Sequence, residues 1–205
     1  MRPFRLSLAP LAALALAACA DGPAATLTPE GTEPRLAVVP ACVEFGPPPP
    51  SGTIYGSTVG TPPGAVVFVE NGVRVSVNKF FHPGGATSYF AARIEPAPAG
   101  FGVGQVIRSN NINIGFDYSM VGFVPHLVRF EWRDLGGHEN LIVNGAGPFI
   151  GELDTPPPAM GGVSVASSSS LIPGGDQGTT WLQGAVGKFQ VGGQEFWIDR
   201  VCAWP

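Results

Sequence analysis

The sequence predicts an all-β protein, an antiparallel β-sandwich of the jelly-roll kind, placed behind an export signal and a flexible tether. Short runs of β-branched and aromatic residues recur from Leu36 to Cys202. The glycines and prolines, 29 and 22 in a chain of 205 residues, fall between those runs as turn punctuation. No segment of useful length carries the 3.6-residue period of an amphipathic helix. Instead Val128, Phe130 and Trp132 alternate with Arg129, Glu131 and Arg133, the period of a strand buried on one face.

The strands follow in order. Leu36 to Phe45 reads as the first, stopped by Pro47-Pro48-Pro49-Pro50, which cannot join a central ladder. Ala65 to Val69 and Val73 to Val77 flank Asn71-Gly72, the strongest hairpin signal in the chain. Further runs lie at Tyr89 to Ile94, Gln105 to Arg108, Ile112 to Phe116, Leu127 to Trp132 and Leu141 to Val143. Gly162 to Ala166, Thr180 to Leu182, Val186 to Val191 and Glu195 to Cys202 complete the set. Asn144-Gly145 reads as a second tight turn, and Ser167 to Ser170 with Pro173-Gly174-Gly175 as a flexible loop. The expected domains are 1–18 signal, 19–36 modified cysteine and tether, and 37–205 sandwich.

The N-terminus carries its own message. Arg2 and Arg5 precede an apolar run of 13 residues, Leu6 to Ala18, which ends in small residues. A membrane-spanning helix needs about 20 apolar residues, so the run is a removable signal. Leu16-Ala17-Ala18-Cys19 resembles the lipobox of bacterial lipoproteins. That resemblance implies lipidation of Cys19, cleavage before it, and attachment to a membrane. The alternative is an ordinary signal followed by a chance cysteine. In the sorting pattern of such lipoproteins an Asp directly after the lipidated Cys favours inner-membrane retention. Ala20 at that place therefore implies the outer membrane. Residues 20 to 36 are small, polar and Pro-rich, the composition of a tether.

Loss of residues 1–18 would remove two arginines and no acid, leaving 9 basic residues against 15 acidic ones. A chain of that charge is a poor phosphate binder, which argues against a nucleic-acid partner. With Cys19 lipidated, Cys42 and Cys202 remain, at opposite ends of the folded region in an oxidising compartment. A disulfide between them is expected, the alternative being two buried free thiols.

Three segments carry a second resemblance: Cys42-Val43-Glu44-Phe45, Phe130 to Gly137, and Phe196-Trp197-Ile198-Asp199-Arg200-Val201-Cys202. Together they resemble secreted jelly-roll domains of the galactose-binding-like and carbohydrate-binding kind. The resemblance implies a structural calcium, with Glu44 and Asp199 as its candidate metal ligands. Surface carboxylates with no metal are the competing reading.

Catalytic patterns fail when tested. His138-Glu139-Asn140-Leu141-Ile142 opens like a zinc-protease motif but has Ile142 where the second histidine must stand. Gly162-Val163-Ser164-Val165-Ala166 lacks the last glycine of a hydrolase elbow. Gly100-Phe101-Gly102-Val103-Gly104 lacks the spacing of a phosphate loop and reads as a turn or bulge. Glu131, Asp134, Glu139, Glu152 and Asp154 are available for sugar hydrolysis, yet spacing selects no pair.

Sugar rings stack on flat aromatic faces while their hydroxyls take hydrogen bonds. Tyr55, Tyr118, Trp181, Trp197 and Asn140 are the candidate ligand-binding residues, whereas Trp132 shares its strand face with Val128 and Phe130 and belongs to the core. The expected function is a membrane-anchored, non-catalytic sandwich that binds a glycan or another envelope component. The alternatives are an assembly lipoprotein that binds envelope proteins, and a glycan or ester hydrolase.

Overall fold

The computed structural model describes residues 39–205. The expected signal, Cys19 and tether lie outside the described residues. Among the described residues, sixteen strands form two antiparallel sheets packed face to face. None of the described helices is long and apolar enough to cross a membrane.

The larger sheet contains β1 (Ala41–Val43), β2 (Ile54–Gly56), β6 (Ala91–Pro96), β7 (Gln105–Asn110), β9 (Leu127–Asp134), β12 (Ala159–Met160), β13 (Val163–Ile172), β14 (Gly175–Gln183) and β16 (Phe196–Trp204). Its order is β12-β13-β14-β9-β16-β7-β6-β2, with β1 also on β16. The smaller sheet contains β3 (Val66–Glu70), β4 (Val73–Phe81), β5 (Thr87–Ser88), β8 (Ile112–Asp117), β10 (Glu139–Val143), β11 (Phe149–Gly151) and β15 (Lys188–Gly192). Its order is β11-β10-β15-β8-β4-β3, with β5 on β4. The chain changes sheet between β2 and β3, β5 and β6, β7 and β8, β8 and β9, β9 and β10, β11 and β12, β14 and β15, and β15 and β16. Repeated crossing winds the two sheets around one core in the jelly-roll manner.

Alternation explains that core. Val128, Phe130 and Trp132 of β9 point inward and are buried. Phe189 stacks with its cross-strand partner Phe116 at a centroid distance of 4.8 Å and with Phe130 of the other sheet at 5.2 Å, so aromatic contact bridges the sheets. The Trp132 indole donates to Thr180 Oγ1 at 2.9 Å, which satisfies its polar atom inside the core. Asn71 and Gly72 have φ of 48° and 80°, the left-handed pair of a two-residue turn, and join β3 to β4 as expected.

The last strand lies at the centre of the larger sheet. β9 pairs along one side of β16, while the other side is shared: β7 takes Phe196–Ile198 and β1 takes Val201–Ala203. Cys42 stands opposite Cys202 and the two form a disulfide, with Cα atoms 4.0 Å apart. The first and last of the described strands are thereby stapled together.

Two expectations change. Within the described part of the run Leu36 to Phe45, only Ala41–Val43 is paired. Ser167 to Ser170 is no loop: β13 continues through it to Ile172, and its hairpin with β14 keeps register from Ser164↔Gln183 to Ile172↔Gly175. Serine is a weak strand former by side chain, but nine successive ladder pairs satisfy its backbone, and its hydroxyls can face water.

Candidate ligand-binding site

The outer face of the larger sheet carries the side chains that alternate with the core. On β9 these are Arg129, Glu131 and Arg133; on β14, Gln177, Thr179 and Trp181; on β13, Ser168 and Ser170. Register places Ser168 opposite Thr179, Thr179 opposite Glu131, and Trp181 opposite Arg129. Hydroxyls, a carboxylate, a guanidinium and an indole thus form adjacent rows.

Arg200 joins them from β16 through a break in the strand. Its φ is 43°, unusual for a residue with a side chain, and the register of β16 on β9 shifts between Asp199 and Cys202. Such a bulge re-aims a side chain. The buried Asp199 carboxylate holds the distortion: Oδ1 accepts from the Arg200 N–H at 2.8 Å and Oδ2 from the Val103 N–H at 3.0 Å. Burial raises the pKa of Asp199, opposed by these two N–H donors and by the Arg200 charge. The Arg200 guanidinium donates to Glu131 Oε2 at 2.9 Å, and Arg129 donates to Glu131 Oε1 at 2.6 Å. One carboxylate therefore orients two partly exposed arginines, whose charged heads remain available on their solvent side.

Glu131 and Arg200 line an open groove of about 360 Å³ between the β13–β14 hairpin and the loop at Gly100–Gly102. Phe101 anchors that loop by packing with Trp197 and Val106 in a small apolar cluster outside the main core. Ser168, Ser170, Gln177, Thr179, Glu131 and Arg200 supply the groove's donors and acceptors. Trp181, half-buried, stands beyond Thr179 on the same face. Its lining includes neither histidine nor cysteine, and Glu131 is its one carboxylate. The set is suited to hydrogen bonding a hydroxylated ligand, whereas glycoside cleavage uses two carboxylates and acyl transfer needs a nucleophile with a base.

Of the residues singled out in the sequence, Trp181 stands beside this groove and Asp199 supports it from beneath. The others are placed elsewhere. Trp197 is only 7 % exposed, with Arg108 4.9 Å above its ring and its indole N–H donating to Glu95 at 2.6 Å, so it is no stacking platform. Tyr118 is 3 % exposed, and burial holds its hydroxyl well above the usual range. Tyr55 is half-buried against Phe68. Asn140 is fully buried; its amide accepts from the Phe81 N–H at 2.6 Å and donates to the Phe81 carbonyl at 2.9 Å, a structural role. The side chain of Glu44 is exposed, and its backbone N–H donates to Glu70 at 3.0 Å. With both oxygens of Asp199 engaged by backbone N–H groups, this carboxylate is already satisfied without calcium.

Sequence reasoning missed Arg200, the serines of β13 and the groove itself. It also missed the pairing of His82 with His138, whose rings lie 5.5 Å apart and both pack on Phe80. Among the acids of the described residues, Asp134, Glu139 and Glu152 converge with one oxygen each within 4.8 Å of the others, close enough to share a metal ion. Asp134 and Glu139 are 4 % and 1 % exposed, too covered to straddle a sugar ring. In comparison with known proteins, the chain matches no family model, and no curated protein or solved structure is similar enough to count as a match.

Proposed function

We propose that the chain is a lipid-anchored protein of the bacterial envelope whose sandwich binds a glycan on the outer face of its larger sheet and leaves it chemically unchanged. The observation that carries the binding reading is the groove in which Ser168, Ser170, Thr179 and Gln177 face the Glu131–Arg200 pair, with Trp181 alongside. Its volume falls in the range of small-ligand sites, and its donors and acceptors match a ligand rich in hydroxyls. The anchor rests on Leu16-Ala17-Ala18-Cys19, and Ala20 supports the outer membrane as its destination.

A glycan array probed with the full-length chain is expected to give signals that Arg200→Ala and Trp181→Ala both weaken. No signal above a denatured control sinks the binding reading. Incorporation of labelled palmitate, lost in Cys19→Ser, tests the anchor separately.

A protein partner is the second reading. Edge strand β2 and the residue just before β6 expose Ile54 and Phe90, at 39 % and 47 %, beside Arg93 and Arg108. An exposed sheet edge with apolar side chains favours docking of another chain. Crosslinking in cells that recovers a specific envelope protein through this edge, with silent glycan arrays, would favour that reading over the first.

A further inference from the structure

Asp134 ends β9, Glu139 opens β10, and Glu152 follows β11, so the turns at one end of the sandwich gather three acids. Asp134 points to the inner side of β9, away from the groove that Glu131 lines. Each of the two buried carboxylates is fixed through one oxygen by a backbone donor. Gly136 N–H reaches Asp134 Oδ2 at 2.7 Å, and Leu153 N–H reaches Glu139 Oε2 at 2.9 Å. The remaining oxygens, Asp134 Oδ1 and Glu139 Oε1, are buried and receive no hydrogen bond from any N–H or hydroxyl donor, and the two carboxyl groups lie within hydrogen-bonding reach of each other. Unpartnered oxygens on nine-tenths-buried side chains are uncommon and call for an occupant.

The surroundings add negative charge. Asp176 stands directly opposite Asp134 in the β9–β14 ladder, and Glu195 also acts on Asp134 electrostatically. Among the described residues no lysine or arginine forms an ion pair with Asp134, Glu139, Glu152 or Asp176. His138 is the basic neighbour felt at Glu152. Burying like charges without a counter-ion is costly. A proton shared between Glu139 and Asp134 would join these two oxygens but leave the charges of Asp134, Glu152 and Asp176 without a counter-ion, whereas a dipositive ion at the convergence would meet both oxygens and the rim carboxylate together.

We propose that Asp134, Glu139 and Glu152 bind a hard divalent cation of the calcium class, which ties the β9–β10 turn to the end of β11. An all-oxygen donor set selects hard ions, and calcium accepts water and backbone carbonyls in its remaining positions. This site shares no ligand with the Glu44–Asp199 pair.

Calorimetric titration of the purified full-length chain with CaCl2, and separately with MgCl2, after EDTA treatment is the test. One saturable site is expected for at least one of the two ions. The unfolding temperature should rise by about 5 to 10 °C at an ion concentration about 100 times Kd. Glu152→Gln, a change at the surface, should fold normally and weaken binding about tenfold or more. Glu139→Gln should abolish the response. Three results would each overturn the site: no saturable binding of either ion, a temperature rise reproduced by NaCl at equal ionic strength, or Glu152→Gln titrating like the wild type.

Discussion

Asp199 and Val103, 96 residues apart in the chain, meet in a 3.0 Å hydrogen bond between a buried carboxylate oxygen and a loop N–H. Since the same carboxylate holds the Arg200 N–H, one side chain fixes both a wall of the groove and the bulge that aims its guanidinium. Asp199→Ala leaves two donors without their acceptor. It is expected to cost about 1 to 3 kcal/mol of stability. Denaturant melts give the cost, and faster proteolysis between Ala97 and Gly104 would report the freed loop.

Gly178 lies in β14 where a methyl group would collide with the Ser168 carbonyl and the Trp132 indole. Backbone of the β13–β14 hairpin therefore rests almost directly on the core tryptophan. Gly178→Ala should destabilise by about 1 to 3 kcal/mol through overpacking. A red-shifted or less ordered tryptophan signal in fluorescence and near-UV circular dichroism should accompany it. An unchanged melt would show that the hairpin can shift without cost.

The Cys42–Cys202 bridge closes a loop with a sequence separation of 160 residues. Cross-linking so long a stretch of chain restricts the unfolded ensemble strongly. Cys42→Ser with Cys202→Ser should lower stability by about 3 to 5 kcal/mol. Guanidinium unfolding of the variant against the oxidised chain measures this, and coincident curves would refute it.

Glu139 provides a pH dependence. Burial first, and the neighbouring Asp134 charge second, push its pKa from 4.5 up to about 9. Between those values the folded chain keeps a proton that the unfolded chain has released. Stability without divalent ions should therefore be greatest at the acidic end of this window and fall as pH rises through it. Glu139→Gln should flatten the profile. Thermal melts in EDTA from pH 5 to 9 are the measurement; a wild-type profile that rises with pH would contradict the assignment.

Period-two alternation in β9 and the Asn71-Gly72 turn were readable because each is set by neighbours in sequence: a pleat and a left-handed turn. The cysteine pair was readable by count, since the expected modification of Cys19 leaves two. The groove was not, because Ser168 and Ser170 become a strand surface only through partners on β14, and Ser runs otherwise read as turns. Arg200 owes its direction to a bulge fixed by Val103, a contact no local pattern encodes. Trp197 looked like a platform because aromatic content says nothing about cover, and here Arg108 and the Phe101 loop supply it. The acids at 134, 139 and 152 were visible singly; their convergence depends on two separate turns, the β9–β10 connection and the one after β11.

The staple between the first and last strands also sets a mechanical path. Arg200 is two residues from Cys202, which is bonded to Cys42 and so to the N-terminal segment. A pull on a ligand gripped by Arg200 would travel through those two residues, one sulfur–sulfur bond and the start of β1. Were the chain anchored through its N-terminal segment as proposed, most of the chain between Cys42 and Arg200 would stand outside that line of tension, and load at the groove would bypass the sheets.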